Sequence, residues 1–314
     1  MSLLDQAAHG ACTMIRAKFL KKLGGYNESY TCQDGYELWV KFTRNYKIRN
    51  INVPLFYYRQ HGNNLTANEQ RILQTRARIN SSYIEAQEES VRTVGIIPVR
   101  GEQNSIGFQK IGDKQILKKK IEDAVASKHL LKVVVTGNSD FVENYVKDNF
   151  EKEPKVVFVR RSKRLARLNV NLGRSIDNVL KTLDPYNEIF NSIALLTLEF
   201  PFLSTFQIDD AINTMFLFGS DSLISVRSDN SLYFQHHGEG MVPILNQDKF
   251  TKLEREALYR NVGGITVVKR GAFDKGKGLL TGRVGHIIID QKASHGIFSK
   301  LDLEIAKYLY KYED

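Results

Sequence analysis

The order of the secondary-structure signals predicts an α/β protein whose mainly parallel sheet carries helices on both faces. From residue 93 onward, short β-branched runs alternate with segments of helical periodicity, and such alternation is typical of βαβ units. Before residue 93 the chain changes character, with a small α+β segment at 1–67 and a helical linker at 68–92. We therefore divide the chain into 1–67, 68–92 and 93–314.

The first segment is short and irregular. It holds two turn signals, Gly24-Gly25 and 62–64, around an aromatic-rich helix near 36–42 and a strand near 48–53. These residues are too few to form a complete enzyme. The linker contains neither Gly nor Pro and repeats apolar side chains at nearly helical spacing, which predicts a helix that is polar on its outer side.

The third segment supplies the elements of the sheet. Strands are predicted at 94–98, 132–136, 156–159, 193–198, 222–226, 264–268 and 286–289. Helices are predicted at 114–127, 141–150, 175–183, 208–216 and 301–310. In open parallel sheets, ligands bind beyond the carboxyl ends of the strands, so we expect a binding site in the loops after Ile97, Val135 and Leu196.

Composition excludes several classes of protein. The 314 residues are 42% hydrophobic and 25% charged, which is typical of a globular chain. The two cysteines exclude a disulfide scaffold and a four-thiolate zinc site. The sequence contains no run of about 18 apolar residues, so no transmembrane helix is predicted. Residues 1–18 do not have the pattern of a signal peptide. The expected location is cytoplasmic.

Charge favours an anionic partner. Lys and Arg number 45 against 35 Asp and Glu, so the net charge is +10. The sequence has no basic patch interleaved with aromatic residues, so nucleic-acid binding is not predicted. One basic cluster follows the third strand and reads either as an anion-binding rim or as a solvated loop; it contains Arg160, Arg161, Lys163, Arg164, Arg167 and Arg174.

The loop after the first predicted strand is suited to phosphate. It reads Pro-Val-Arg-Gly-Glu-Gln-Asn-Ser-Ile-Gly at 98–107. Gly101 lets the backbone approach a ligand, amides donate hydrogen bonds and Arg100 neutralises charge. The pattern is neither a Walker loop nor the dinucleotide fingerprint.

The same loop opens a resemblance that spans about 93–312. Matching segments lie at 98–106, 112–117, 195–203, 221–226, 261–267 and 301–306. In order and spacing they resemble the CMP-acidic-sugar synthetases, the acylneuraminate and Kdo cytidylyltransferases. The resemblance implies a nucleotide-diphospho-sugar transferase-like fold and cytidylyl transfer from CTP to an acidic sugar, with CTP or CMP and that sugar as partners; a homodimer is left open.

The resemblance also implies site residues. Nucleotide contacts fall on Arg100, Gly101, Asn104, Ser105 and Lys110, and sugar or anion contacts on Arg160, Arg161, Glu199 and Gly263. Asn104 replaces the family's loop lysine, and Gly296 and Phe298 replace its two metal-binding aspartates, so no metal ligand is predicted there. Mg²⁺ is therefore expected only if the chain is active, and a noncatalytic binding module is the competing hypothesis.

A second resemblance covers about 9–66. The segments 9–16, 23–28, 33–39 and 57–64 resemble the C-terminal part of inverting family 2 glycosyltransferases. It implies that Asp34 is the base that deprotonates the acceptor hydroxyl, with Gln33 in place of the usual Glu. In this alternative the chain is the C-terminal part of a glycosyltransferase for surface polysaccharide synthesis, whose catalytic half lies upstream.

Overall fold

The computed structural model describes residues 13–49, 68–85, 91–165, 171–229, 231–236, 238–244, 258–276 and 278–311. In these ranges the helices are α1 (Ala17–Lys22), α2 (Asp34–Asn45), α3 (Glu69–Glu85), α4 (Ile116–Val125), α5 (Asp140–Phe150), α6 (Leu172–Leu183), α7 (Thr205–Leu217), α8 (Arg270–Gly276) and α9 (Lys300–Tyr310). The strands are β1 (Thr93–Pro98), β2 (Lys110–Ile111), β3 (Lys114–Gln115), β4 (Leu130–Gly137), β5 (Val156–Arg160), β6 (Ser192–Leu196), β7 (Ser222–Asp229), β8 (Phe234–His236), β9 (Met241–Pro243), β10 (Leu258–Lys269) and β11 (Val284–Ile288).

Several helices begin where the sequence offers a capping side chain. Ser139 accepts a hydrogen bond from the amide of Phe141 at the start of α5, and Asn171 accepts one from Gly173 at the start of α6. Ser299 does the same for Asp302 at the start of α9. Such caps satisfy amides that the first helical turn leaves without partners, so local sequence fixes where these helices begin.

The main sheet is mixed but mostly parallel. Its seven strands follow the order β11-β7-β10-β6-β1-β4-β5, and β10 runs antiparallel to both β6 and β7. The other neighbouring pairs are parallel. Central β1 pairs Ile96 with Val134 on one side and with Leu195 on the other. The predicted mainly parallel sheet is confirmed.

The sheet separates two apolar cores. Alternate residues of one strand face opposite sides, so Val133 and Val135 of β4 enter one core while Val134 enters the other. The first core is closed by α4, α5, α7 and α9, and the second by α6 and α8. Helices therefore cover both faces, as predicted.

The N-terminal elements pack on the large domain through α7. Trp39 of α2 lies with its ring centroid 5.8 Å from that of Phe218, at the end of α7. Asn80 of α3 donates to Thr214 at 3.1 Å and to Asp210 at 3.3 Å. Burial raises the pKa of Asp210 to about 6. This interface joins the described part of 13–85 to the sheet domain.

Local differences from the predicted elements have identifiable causes. The helix predicted at 114–127 begins only at Ile116, because Lys114 and Gln115 pair with β2 in a hairpin. Gly112 turns this hairpin with φ 63°, and a Cβ there would lie 1.9 Å from the ring of Tyr310. The β8–β9 hairpin was not predicted.

The first segment is only partly described. The strand predicted near 48–53 falls mainly outside the described residues, and residues 48–49 are not in a strand. Within 13–49 the structure contains helices α1 and α2 and no strand. No helix in the described part of the chain has the length and apolar character needed to cross a membrane.

The α2–α7 contact yields a stability prediction. Trp39 is 6% exposed and packs between Tyr36 and Phe218. Trp39→Ala should lower the free energy of unfolding by about 3–5 kcal/mol, because it removes buried ring surface and leaves a cavity. Urea unfolding measures the change. Tyr186→Ala, at a position that is 82% exposed, is the control; equal losses in the two variants would contradict the packing role.

Candidate functional site

The connection order of the strands creates a crevice beside β1. The chain builds β1, β4 and β5 toward one edge of the sheet, and then returns to place β6 on the other side of β1. At such a reversal the loops that leave the carboxyl ends of two neighbouring strands turn in opposite directions and leave an opening. The loops after β1 and β6 therefore flank the candidate site.

The loop after β1 carries most of the predicted nucleotide contacts. Gly101 adopts φ 79°, and Ser105 closes the turn with its amide donating to the carbonyl of Glu102 at 2.8 Å. Backbone amides of residues 100–104 donate no hydrogen bond to the described residues. Ser105 Oγ is shielded from solvent and has no partner there either. The loop thus presents unused donors at the crevice.

The remaining nucleotide-site predictions lie on or after this loop. Arg100 is half-buried and Asn104 is exposed. Lys110 is exposed in β2, beyond the 3₁₀ turn at Ile106–Phe108. The structure therefore places Arg100, Gly101, Asn104 and Ser105 together, and Lys110 one short turn away.

Arg161 lies inside the protein instead of on the predicted anion-binding rim. It is 2% exposed, and its Nη2 donates to the carbonyl of Val99 at 2.7 Å. Burial, with nearby Arg100 adding repulsion, lowers the pKa of Arg161 to about 10, so the guanidinium stays charged at neutral pH. Its role in this structure is to hold the start of the loop after β1.

Arg160 is exposed but already engaged. Its guanidinium pairs with Glu143 and Asp140 on α5, and the hydrogen bond that it donates to Glu143 is the main reason that the pKa of Arg160 is raised. An anion would have to compete with these two carboxylates. Of the basic cluster, Lys163, Arg164 and Arg174 are also exposed, whereas Arg167 lies outside the described residues.

A buried lysine holds the loop after β6. Lys120 of α4 is 1% exposed, and its ammonium donates to the carbonyls of Phe200 at 2.8 Å and Leu203 at 3.1 Å. Burial lowers the pKa of Lys120 to about 8. Glu199 is half-buried beside this clamp, and its carbonyl accepts from the amide of Ile297 at 2.8 Å.

A pair of glycines in β10 makes room for Phe200. Gly263 and Gly264 have φ 87° and 83°, and the register with β7 shifts at this point. A Cβ on Gly264 would lie 2.1 Å from Leu203 and 3.1 Å from Phe200. A Cβ on Gly263 would lie 3.1 Å from the same ring. The predicted sugar-site glycine therefore borders Phe200.

The residues after β11 do not fit a magnesium ion. A Cβ on Gly296 would lie 2.5 Å from the ring of Phe298 and 2.9 Å from that of Phe200. Those two rings contact edge to face, with centroids 5.8 Å apart. Mg²⁺ needs oxygen ligands, whereas these positions offer only hydrocarbon. The described residues contain no group of three or more His, Cys, Asp or Glu side chains placed to hold a metal ion.

The nearby carboxylate of Asp302 is committed to the helix that follows. Its Oδ2 accepts from the amide of Phe298 at 3.0 Å and from the hydroxyl of Ser299 at 2.8 Å. These hydrogen bonds, that of Ser299 first, lower the pKa of Asp302. Asp302 thus fixes the turn that carries Phe298.

The loop after β6, the first part of β10 and the turn after β11 line a pocket of about 340 Å³, hereafter the Phe298 pocket. Its walls combine the aromatic pair with polar groups from β10 and from the turn after β11. They are Phe200, Phe298, Arg260, Asn261, Val262, Gln291, Ser294, His295 and Gly296.

Asp34 belongs to a different part of the molecule. It is the exposed first residue of α2. Gln33 adopts φ 62° and accepts a hydrogen bond from Arg76 Nε at 2.7 Å, which ties this turn to α3. The contacts of α2 run to α3 and to the end of α7, so the structure does not join Asp34 to the Phe298 pocket.

Sequence reasoning missed three residues that shape the site. Lys120 reads as one of three consecutive lysines on an amphipathic helix, and only the packing distinguishes it. The sequence marks Phe298 only as the replacement of a metal ligand, and Arg260 lies shortly after the undescribed residues 245–257. No local signal in the sequence marks Arg260 as a wall of a pocket.

Two solved structures share the fold. 4-Diphosphocytidyl-2C-methyl-D-erythritol synthase from Anaerococcus prevotii DSM 20548 has a TM-score of 0.54 and 14% identity, over 71% of this chain and 97% of that chain. CMP:2-keto-3-deoxy-manno-octonic acid synthetase in complex with CTP has a TM-score of 0.51 and 12% identity, over 71% of this chain and 100% of that chain. No protein-family model and no curated protein matches the sequence.

At these identities the likeness establishes the fold alone. Neither structure is a glycosyltransferase, so neither supports that interpretation of residues 9–66. The chain has the α/β fold of these two synthetases.

The Lys120 clamp predicts a pH dependence of stability. An unfolded lysine has a pKa near 10.4, whereas that of folded Lys120 is about 8. Below pH 8 both states are protonated and the burial penalty is constant. Between these pKa values the unfolded state binds more protons, so stability rises with pH, by on the order of 3 kcal/mol.

Urea unfolding of wild type and Lys120→Met across this pH range measures the effect. The unfolding free energy of wild type should increase relative to that of Lys120→Met as the pH increases. Lys119→Met, in the half-buried pair with Asp123, is the matched control and should follow wild type. Parallel profiles for wild type and Lys120→Met would contradict a depressed pKa.

Proposed function

We propose that this chain binds a cytidine nucleotide at the crevice between β1 and β6 and an acidic sugar beside it, with cytidylyl transfer slow or absent. The observation that carries the nucleotide proposal is that, among the described residues, the amides of 100–104 donate no hydrogen bond and the buried Ser105 Oγ has no partner. Convergent amides at a strand end form an anion-binding concavity. Arg100 adds the charge that phosphate requires.

Three further observations support a nucleotide at this loop. The crevice lies where ligands bind in open α/β sheets. Two structures with this fold are a diphosphocytidyl-methylerythritol synthase and a CMP-sugar-acid synthetase solved with CTP. Buried Arg161 fixes the carbonyl of Val99, so the loop is preorganised and loses less entropy on binding.

The proposal of slow transfer rests on Gly296 and Phe298. A triphosphate is strongly anionic, and an active transferase neutralises the charge that develops on the leaving pyrophosphate. The aromatic pair offers no ligand for a cation at this position, and Asn104 brings no charge to the loop. If transfer is absent altogether, the protein is a noncatalytic nucleotide- and sugar-binding module.

The glycosyltransferase alternative stays a prediction. It assigns Asp34 as a base, and Asp34 is exposed at the start of α2. A role in surface polysaccharide synthesis, a homodimer and a cytoplasmic location likewise remain predictions from the sequence.

The nucleotide proposal predicts an effect of Arg100. Arg100→Gln should weaken CTP and CDP binding about tenfold or more, because a charge-assisted hydrogen bond is lost. Isothermal titration calorimetry, with and without MgCl₂, measures it. Arg283→Gln, an exposed residue just before the amino end of β11, should bind as wild type. Absence of any nucleotide binding under either condition would overturn the proposal.

The catalytic proposal predicts slow turnover. Pyrophosphate release from CTP, measured with N-acetylneuraminate and with Kdo, should be several orders of magnitude slower than in an active synthetase, since each 1.4 kcal/mol is about tenfold in rate. Turnover of about one per second, lost in Glu199→Ala or Asp302→Ala, would instead demonstrate a substitute metal site.

A further inference from the structure

The Phe298 pocket has an aromatic wall with an open face. Phe298 is 75% exposed although it lines a concavity. Its ring centroid lies 5.8 Å from that of Phe200 at an interplanar angle of 76°, so Phe200 meets it edge to face. An exposed ring in a pocket leaves apolar surface that a stacked ligand would cover, and stacking on aromatic side chains is a common mode of binding rings.

The ring is held in place by the backbone around it. The amide of Phe298 donates to Asp302 Oδ2, and the neighbouring amide of Ile297 donates to the carbonyl of Glu199 at 2.8 Å. Gly296 leaves no room for a side chain between the two rings. The turn therefore presents Phe298 in a fixed position, which lowers the entropy cost of stacking.

The opposite wall supplies a positive charge. Arg260 is exposed on β10, and no hydrogen bond or salt bridge joins its guanidinium to the residues described. Hydrogen bonds from Ser231 and Tyr233 lower the pKa of Asp229 in β7, and the charge of Arg260 adds to this effect. Other polar groups are already used: Asn261 Oδ1 accepts from the amide of Gly263, and Ser294 Oγ donates to the carbonyl of Gln291. His295 Nε2 lies 2.9 Å from the carbonyl of Asp302.

No carboxylate side chain is among the residues that line the pocket. An exposed guanidinium at a pocket wall favours an anion, and the lining lacks the carboxylates through which proteins usually bind Mg²⁺. The pocket thus presents a positive charge, whereas a metal site presents negatively charged ligands. It can neutralise an anionic ligand directly, without a divalent cation between protein and ligand.

We propose that the Phe298 pocket binds an anionic ring compound without a divalent cation, with the flat face of the ring on Phe298 and the anionic group at Arg260. This inference rests on the proposed function, because it assigns a ligand at the same edge of the sheet as the nucleotide loop. A pyrimidine base and the apolar face of a pyranose acid share this chemistry, and the experiment separates them.

The experiment measures binding of CMP and of N-acetylneuraminate, separately, in EDTA and in MgCl₂, by calorimetry or saturation-transfer NMR. At least one ligand should bind equally well in the two buffers. Phe298→Ala should weaken that binding about fivefold or more, as loss of one stacking contact implies. Arg260→Gln should weaken it about tenfold.

Matched variants distinguish a ligand contact from a general disturbance. Phe298→Tyr keeps the ring face and should retain wild-type affinity within about twofold. Tyr186→Ala removes another exposed ring, in the turn after α6, and should have no effect. Circular dichroism of each variant verifies its folding, which is expected to be unchanged since Phe298 and Arg260 are exposed.

The outcomes separate the two sources and the two proposals. If Phe298→Ala weakens only CMP, the ring is the base; if it weakens only the sugar acid, the ring is the pyranose. Binding that EDTA abolishes, or that Phe298→Ala and Arg260→Gln leave intact, would overturn the inference. If the inference fails but Arg100→Gln still weakens CTP binding, the proposed nucleotide-binding function stands without a ligand in the Phe298 pocket.

Discussion

The ring of Phe200 occupies a space that three glycines leave open, and the shape of the carboxyl edge depends on it. Gly263 and Gly264 approach the ring from β10, and Gly296 approaches it from the turn after β11. A side chain at Gly264 or Gly296 would collide with the ring or with its neighbours Leu203 and Phe298. Because packed interiors leave little free volume, the position of Phe200 determines where both loops run, and it makes the floor of the pocket aromatic.

Two buried cations hold the loops on either side of the crevice. Arg161, just beyond β5, binds the carbonyl of Val99 after β1, and Lys120 from α4 binds the carbonyls of Phe200 and Leu203 after β6. Each satisfies carbonyls that have left the sheet, which an apolar side chain would leave without a partner. The basic composition of the chain therefore contributes to the architecture as well as to ligand attraction.

The N-terminal segment adds a layer outside α7. Its contact with the sheet domain combines apolar packing at Trp39 with a buried polar group, in which Asn80 links Tyr36 to Asp210 and Thr214. Arg76 lies over the ring of Tyr36 and donates to Gln33. Satisfied buried polar groups specify one arrangement of helices more narrowly than apolar packing alone, so this layer is a defined part of the fold.

The sequence by itself determined the chain order of the seven strands of the main sheet and of the longer helices, since hydrophobic periodicity acts over a few positions. It did not mark the short elements α1, α8, β2, β3, β8 and β9. It also predicted a phosphate-suited loop at 98–107, and the resemblance implied that Gly296 and Phe298 stand where the family has metal-binding aspartates. It did not determine the antiparallel direction of β10, the burial of Lys120 and Arg161, or the meeting of Phe200 with Phe298. Those features depend on contacts between residues far apart in the chain, such as Lys120 with Phe200, and only tertiary packing brings such residues together.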